Sequence, residues 1–580
     1  MSNPTAYKTT TTTTTLGNGR NEIHVDQRDI PTITSKAWDE IIAQNNPPII
    51  FRRGGELVQT QEKDNGDTRL ITMNKDHMRG FLSRRCFFTE AHNGQVKVVE
   101  PPFSIVADMM VNIDSRIPII DRIVRAPIFA FDDSIIDTPG YHGSARVYCD
   151  MPLGLTIPPV SDIPDDSELA AARALFDEML CDFPFEGAAD RAHAYALCLQ
   201  MFCRDKIDGP TPMYGSESPV VGSGKGKLVD ALLIPSLGLK QHTISQPGDD
   251  DEWRKQLISS LSEGPPVVKI DNVTRPMDSG VFANVLTTDE FGGRILGSMM
   301  NASLPVRCAW VMTANNPILS MEIARRYVRM RLVPDVARPW LRDVFKHDDL
   351  IGWVMTNRGR LIWAALTMIR YGIQHNPHNM HRIGSFEKWA DVLGNILDAI
   401  GVCGFLTNIN DIYEQSDVET TMWTNLVSVW WDTHKITDML ASELYTLAED
   451  NKIDIPLHGK NEHALKISMG RAVAKMKDRV FSIDVKGVPL VVRIVKCTQT
   501  INRSVLWRLD NITPDPPLAP MPDVDVNTIF DDYERERLAV EAAEHGDYEL
   551  AETLIDLIAD TDIRDRTTIR VDNIQAAGDI

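Results

Sequence analysis

Apolar residues recur every three or four positions through Asp165 to Cys181 and again through Asp190 to Cys203. That spacing predicts two amphipathic helices joined by a turn at Asp182-Phe183-Pro184-Phe185. It returns in Leu350 to Tyr371 and Ser385 to Ile400, both rich in Trp, Leu and Ile. Between these helical blocks the pattern shortens into apolar runs that read as strands, Val267-Val268-Lys269-Ile270 and Ala309-Trp310-Val311-Met312, each ending in polar residues. Upstream, Ser35 to Ala43 and a helix capped by Asn74 and running to Arg84 alternate with a hairpin, Ile49 to Arg53 and Glu56 to Val58, around Gly54-Gly55. The apolar stretches Ile119 to Phe131 and Ser134 to Ile136, flanking Asp132-Asp133, predict another hairpin. Downstream, helices at Asp438 to Glu449 and His463 to Lys477 precede alternating strands at Val480 to Val485, Val488 to Val495 and Val505 to Leu509. Two helices followed by a β-hairpin is the pattern of a winged helix.

These signals divide the chain into a threonine-rich tail over 1–33 that is too polar to order itself, an α+β domain over 34–154 and a helical lead-in over 155–208. An α/β core then spans 209–340, a helical connector 341–436 and the winged helix 437–510. A Pro-rich linker and acidic helical tail fill 511–580. A length of 580 residues supports several such domains. The eight cysteines are scattered, with no C-x-x-C pair, so they read as reduced core residues of a cytoplasmic protein. No apolar run approaches the ~20 residues needed to cross a bilayer, and the polar N-terminus predicts neither signal peptide nor anchor.

Charge changes the picture through its placement. The net charge is −21, yet residues 511–580 hold 18 acidic against 5 basic side chains, a net of −13, which leaves −8 for all the rest. Lys466 to Arg508 carries 10 basic against 2 acidic side chains. A basic module therefore stands directly before an acidic tail.

The candidate chemistry lies in Pro219-Val220-Val221-Gly222-Ser223-Gly224-Lys225-Gly226-Lys227. A glycine-dense turn before an apolar helix lets backbone N–H groups converge on an anion. The helix N-terminus adds partial positive charge, and a lysine reaches terminal phosphates. Two fixed positions of the phosphate-loop pattern G-x-x-x-x-G-K-[ST] depart: Pro219 stands for glycine, and Gly226 for the hydroxyl that ligates Mg²⁺. Water or Ser223 are the substitutes open at that point. The apolar strand ending at Asp271 would hold the metal. The strand ending at Asn315-Asn316 would place an amide beside it. Ala324-Arg325-Arg326 opens a run of four arginines that ends at Arg331, and arginine there can stabilise charge in a neighbouring subunit's site.

In this order the motifs resemble the ATPase modules of phage and mobile-element replication proteins, similar to superfamily 3 helicases and AAA+ ATPases and often fused to primases. The resemblance covers roughly 35–510. It rests on Gly222-Ser223-Gly224-Lys225-Gly226, Asp271-Asn272-Val273 with Arg275-Pro276, Thr313-Ala314-Asn315-Asn316, Ala324-Arg325-Arg326 and Arg338-Pro339-Trp340. It implies an α/β P-loop NTPase core of AAA+/superfamily 3 type that binds ATP and Mg²⁺. Lys225 would meet the β- and γ-phosphates, Asp271 the metal, Asn315 or Asn316 would be the sensor, and Arg325 or Arg326 the finger. Asn272 stands where many relatives carry a second acidic residue, so the general base is open among Asp278, Asp289 and Glu290. A hairpin between the metal and sensor strands would carry Arg294 into a ring's pore to grip single-stranded DNA. On the winged helix, Lys466, Arg471, Lys475 and Lys477 on the second helix and Lys486 and Arg493 on the wing would meet duplex DNA. Arg471 and Lys475 share a face, while Lys477 lies about 160° round from Lys475, so the four do not enter one groove. No primase signature appears, which puts priming on a separate replication protein. The expectation is an ATP-dependent DNA helicase or replication initiator, homo-oligomeric, with a hexameric ring expected, acting in the host cytoplasm. A non-hydrolysing DNA-binding scaffold and an ATPase that remodels protein assemblies are the alternatives.

Overall fold

The computed structural model describes residues 20–578 except 27–28, 65–66, 93–94, 239–242, 295–300, 417, 486–487, 502–503, 514–530 and 545–547. The chain forms two compact units, Met1–Val418 and Glu419–Ile580.

The first unit opens with a region of mixed helices and strands. Strands Ile50–Arg53, Glu56–Glu62 and Thr68–Thr72 form one antiparallel sheet, and Asn21–His24, Cys86–His92 and Gln95–Val99 form a second, mixed sheet in which Asn21–His24 runs parallel to Cys86–His92. Helices Ile30–Ala43, Lys75–Arg85 and Phe103–Val111 bury Ile33, Trp38, Met78, Leu82 and Met109 against the second. Asn74 caps its helix as expected, its side chain accepting from His77 N at 2.8 Å. The long strand expected over Ile119 to Phe131 is instead broken into Arg122–Val124 and Ile128–Phe129, because Pro127 withholds an N–H from any continuous ladder.

The core is a five-stranded parallel sheet. We number its strands β1 (Met213–Ser218), β2 (Thr243–Ile244), β3 (Val267–Val273), β4 (Ala309–Asn315) and β5 (Tyr327–Arg331). Their order across the sheet is β2-β3-β4-β1-β5. Strand β4 is thus inserted between the strand that enters the glycine turn and the strand that carries Asp271. The near-continuous apolar runs of β3 and β4 are those of strands covered on both faces. One face packs on helices Ala188–Cys203 and Lys225–Leu237, the other on Asp250–Ser262 and Gly280–Val285. The buried exception on β3, Lys269, is paired with Asp230 of helix Lys225–Leu237 at 3.2 Å. In a doubly wound sheet of this kind, ligands bind outside the carboxyl ends of the strands, at the point where connections diverge to either side.

Where a helical connector is expected, helices Leu350–Thr356, Arg358–Gln374 and Glu387–Ala399 bury Trp389, Leu393 and Leu397. Its boundary moves, however. Helix Val418–His434 packs Trp423, Leu426, Val427 and Trp430 into the core of the second unit, so that unit begins well before residue 437. There, helices Ala441–Asp450 and Glu462–Lys475 lie with a four-stranded antiparallel sheet that includes Val480–Val485, Val488–Ile501 and Ser504–Asn511. The acidic end is more organised than a tail. Helices Asp532–Glu544, Tyr548–Asp556 and Thr561–Gly578 bury Val540, Leu554, Ile555 and Val571 in a small core of their own. The Pro-rich linker lies outside the described residues, as does the threonine run over 1–19. No described helix is long and apolar enough to cross a membrane, and all eight cysteines are free thiols.

Candidate phosphate-binding site

Strand β1 runs into the glycine turn, and the turn runs into helix Lys225–Leu237. Gly222 and Gly224 adopt φ of +73° and +93°, conformations open to glycine without strain. A Cβ on Gly222 would also stand 3.1 Å from the Cβ and ring of Trp340, so this position excludes a side chain twice over. Gly224 caps the helix, whose free N–H groups therefore face the turn.

Lys225 is the first helical residue, and its ammonium folds back over the turn. It donates to Asn315 Oδ1 at 2.7 Å, to Ser223 Oγ at 3.3 Å and to the Val220 carbonyl at 3.4 Å. Partial burial holds its pKa below the ordinary lysine value. Lys227 is exposed. Of the two candidate sensor amides, Asn315 is therefore the one in contact with the loop lysine. Asn316 has left the strand, with φ of +41° and its N–H on the Ser218 carbonyl at 3.2 Å.

Strand β3 ends in a bulge. Ile270 pairs with Met312 and Val273 with Ala314, so Asp271 and Asn272 together stand opposite Thr313. The Thr313 hydroxyl donates to Asp271 Oδ1 at 2.7 Å and accepts from Asn272 N–H at 2.8 Å. Asn272 takes the left-handed conformation, φ +53°, which asparagine tolerates better than most residues. Thr313 and Asn315 are two apart on β4 and so face the same side. One strand thus positions both the carboxylate of Asp271 and the ammonium of Lys225. Thr313 is the residue that sequence reasoning missed as a positioning group. Its role depends on the register of the bulge, which no local pattern announces.

The donor set fits magnesium, which is commonly held by one or two carboxylates with the remaining sites on water and substrate phosphate. Asp271 is exposed and supplies the carboxylate. Gly226 leaves room at the missing hydroxyl, since a Cβ there would meet nothing within 4 Å. Of the candidate bases, only Asp278 lies at this edge: its neighbour Met277 donates to the Ile318 carbonyl just past β4, at 2.8 Å. Asp289 and Glu290 lie at the opposite edge. The Asp289 carbonyl accepts from Val306 ahead of β4, and Glu290 accepts from the Ser303 hydroxyl. Both are corrected as bases for this site.

The arginines also separate. Arg329 and Arg331 are tied into the fold: Arg331 meets Glu217 of β1 at 2.8 Å and Glu186 at 3.2 Å, and Arg329 meets Glu186 at 3.4 Å. Arg325 is exposed and Arg326 half-buried, just before β5. Because Met213 pairs with Tyr327 and the strands are parallel, Arg325 and Arg326 lie at the amino edge of the sheet. That is about 17 Å along β1 from the loop, counting five steps of ~3.3 Å.

The hairpin expected between β3 and β4 is present as Glu290–Arg294 paired with Asn301–Pro305. Arg294 ends its first strand, and its side chain lies outside the described residues, as does all of Lys486. In the second unit Arg471 and Lys475 are exposed on helix Glu462–Lys475, which ends before Lys477 and so corrects the helical placement of that residue. Lys466 is drawn to Glu462 at 2.7 Å and lines a groove with Lys477 and Lys496. Arg493 faces Asp510 at 4.0 Å. The basic residues thus serve more than one face, as the helical angles require.

No family model matches the sequence, and no curated protein does. Among solved structures, the chain is similar to SCCmec type IV Cch, described as an active helicase. The identity is 11%, covering 72% of this chain and 88% of that one, with a TM-score of 0.32. It is also similar to the JCV helicase, at 14% identity over 49% of this chain and 66% of that one, with a TM-score of 0.20. Superpositions this loose carry no argument about function, which rests on the loop, the strand order and the residues they bring together.

Proposed function

We propose that this chain is an ATP-hydrolysing, DNA-binding motor or replication initiator of a phage or mobile element, working as a homo-oligomer. The observation that carries the reading is the convergence of Lys225, Asn315, Thr313 and Asp271 at the carboxyl ends of the adjacent strands β1, β4 and β3. In this reading Lys225 exchanges its loop partners for the β- and γ-phosphates of ATP. Asn315, released from the lysine, orients the attacking water or the γ-phosphate. Asp271, aimed by Thr313, would hold Mg²⁺, and the ion would supply electrostatic stabilisation of charge on the transferring phosphoryl group. Arg325 and Arg326 lie at the edge of the sheet opposite their own loop, which supports a role in the site of a neighbouring subunit. The hairpin bearing Arg294 and the basic winged-helix face supply the DNA contacts.

Turnover of ATP by the intact chain, with and without single-stranded DNA, tests this reading. The motor hydrolyses ATP faster with DNA, a scaffold shows no turnover, and a protein remodeller turns over without stimulation.

Two further outcomes follow. Gly226→Ser is expected to keep the fold, since the added Cβ has open space, and to lower the Mg²⁺ concentration for half-maximal turnover by supplying the hydroxyl ligand. An unchanged Mg²⁺ dependence would place the metal away from Gly226. The double variant Arg471→Ala with Lys475→Ala removes two exposed cations. It should reduce the slope of log duplex affinity against log salt by roughly 2, about 0.9 per phosphate contact. An unchanged slope would move the duplex site elsewhere.

A further inference from the structure

The carboxyl edge of the core sheet carries a row of exposed apolar side chains beside the phosphate loop. Of the 23 large apolar side chains exposed among the described residues, six fall within 333–345, the segment that follows β5. They are Val333, Val336, Trp340, Leu341, Val344 and Phe345, with Leu341 64% and Val344 75% exposed. Val221 in the glycine turn and Ile318 just past β4 stand open at the same edge. Apolar residues exposed singly need no explanation, whereas a concentration of this kind marks a contact surface.

The backbone of the row is anchored while its side chains stay open. Val333 N–H donates to the Pro184 carbonyl at 2.8 Å. Arg342 donates to the Asp182 carbonyl at 2.8 Å and to its carboxylate at 2.9 Å, and Lys346 N–H donates to the same carboxylate at 2.7 Å. Trp340 lies against Gly222, so the row borders the loop. Asp335 and Asp343 are exposed within it, and neither carboxylate has a hydrogen bond or ion pair among the described residues. The arginine pair assigned to the site does not reach its own loop, since Arg325 and Arg326 lie about 17 Å away at the amino edge. A second copy that delivers them brings its amino edge against this carboxyl edge. Arginine stems cover apolar surface and guanidinium groups stack on aromatic faces, and the free carboxylates of Asp335 and Asp343 complement their charge.

We infer that the segment 333–345 is the seat for the amino edge of a second copy of this chain, with Trp340 the platform beside the loop across which the neighbour's Arg325 or Arg326 enters. The inference rests on the homo-oligomeric reading and adds to it the surface that makes the contact. Amino edge on carboxyl edge is a head-to-tail contact, the kind that generates a closed ring or an open filament.

The test is sedimentation velocity of the intact chain over a range of concentrations, with Mg²⁺ and a non-hydrolysable ATP analogue. The parent should self-associate. Leu341→Asp with Val344→Asp should weaken association about tenfold or more, because two charges enter an apolar contact. Trp340 is left in place in this variant because it touches the loop. The single protomer should still bind ATP within about twofold of the parent's affinity, and turnover should fall about 10³-fold or more as the arginines are no longer delivered. Leu341→Met with Val344→Ile should associate like the parent. So should Met380→Asp, at a side chain 77% exposed between helices Arg358–Gln374 and Glu387–Ala399. Association of the double aspartate variant within about twofold of the parent would overturn the seat and leave the homo-oligomer standing. Equal loss in Met380→Asp would also overturn it, since any added charge would then suffice. A parent that stays monomeric would overturn both, and the apolar row would then belong to a different partner.

Discussion

Mixing two inactive proteins, Lys225→Ala and the double variant Arg325→Ala with Arg326→Ala, is expected to restore part of the ATP turnover that each has lost. The expectation follows from the direction of the parallel sheet. Arg325 and Arg326 stand before β5, while the loop lies beyond the far end of β1, and the two strands are paired in parallel register. An extended arginine does not cover the full length of the sheet and also reach a phosphate in its own loop. In a ring, one subunit's amino edge can face the next subunit's carboxyl edge. An interface that joins an intact Lys225 to an intact arginine pair would then be active. Alone, the arginine variant should bind ATP nearly as tightly as the parent and turn over about 10³- to 10⁵-fold more slowly. Absence of recovery at every mixing ratio, with co-assembly verified by sizing, would mean that these arginines only pack or solvate the fold.

Asp271→Asn should separate binding from chemistry at the other side of the site. The amide keeps the size of the carboxylate and can still accept from the Thr313 hydroxyl, which lies at 2.7 Å in the parent. The bulge should therefore survive. What is lost is the charge that holds the metal. Metal stabilisation of developing phosphoryl charge amounts to several kcal/mol, and about 1.4 kcal/mol corresponds to tenfold in rate, so turnover should fall on the order of 10²- to 10³-fold. ATP affinity measured without Mg²⁺ should stay within about twofold, because Lys225 and the loop N–H groups are untouched. Turnover near the parent's rate would move the metal to another carboxylate, with Asp278 the first to examine.

The parts of the fold legible in the sequence are those set by local rules. Asn74 and the glycines of the loop act over a few residues, and each stands where spacing places it. The apolar runs of β3 and β4 likewise announce buried strands. What spacing does not carry is the relation between distant segments. Asn315 and Asn316 are adjacent in sequence, and only the end of β4 decides which one meets Lys225. Thr313 is an ordinary strand residue until the bulge sets Asp271 and Asn272 opposite it. Asp289 and Glu290 follow the metal strand in sequence but sit at the other edge, because helix Gly280–Val285 carries the chain back across the sheet. Arg329 and Arg331 look equivalent to Arg325 and Arg326 in the sequence. Their partners Glu186 and Glu217, more than a hundred residues earlier, make them structural.

Whether the glycine turn at Lys225 is a nucleotide site is read from equilibrium binding of ATP to the intact chain and to two single variants. Lys225 reaches over the turn to Asn315, whereas Lys227, one half-turn along the helix, is exposed. The parent and Lys227→Ala should therefore bind ATP with similar affinity, and Lys225→Ala should show no measurable binding. Affinity within about twofold of the parent in Lys225→Ala would contradict the account, and loss of binding in Lys227→Ala alone would show that the loop lysine had been assigned in the wrong register.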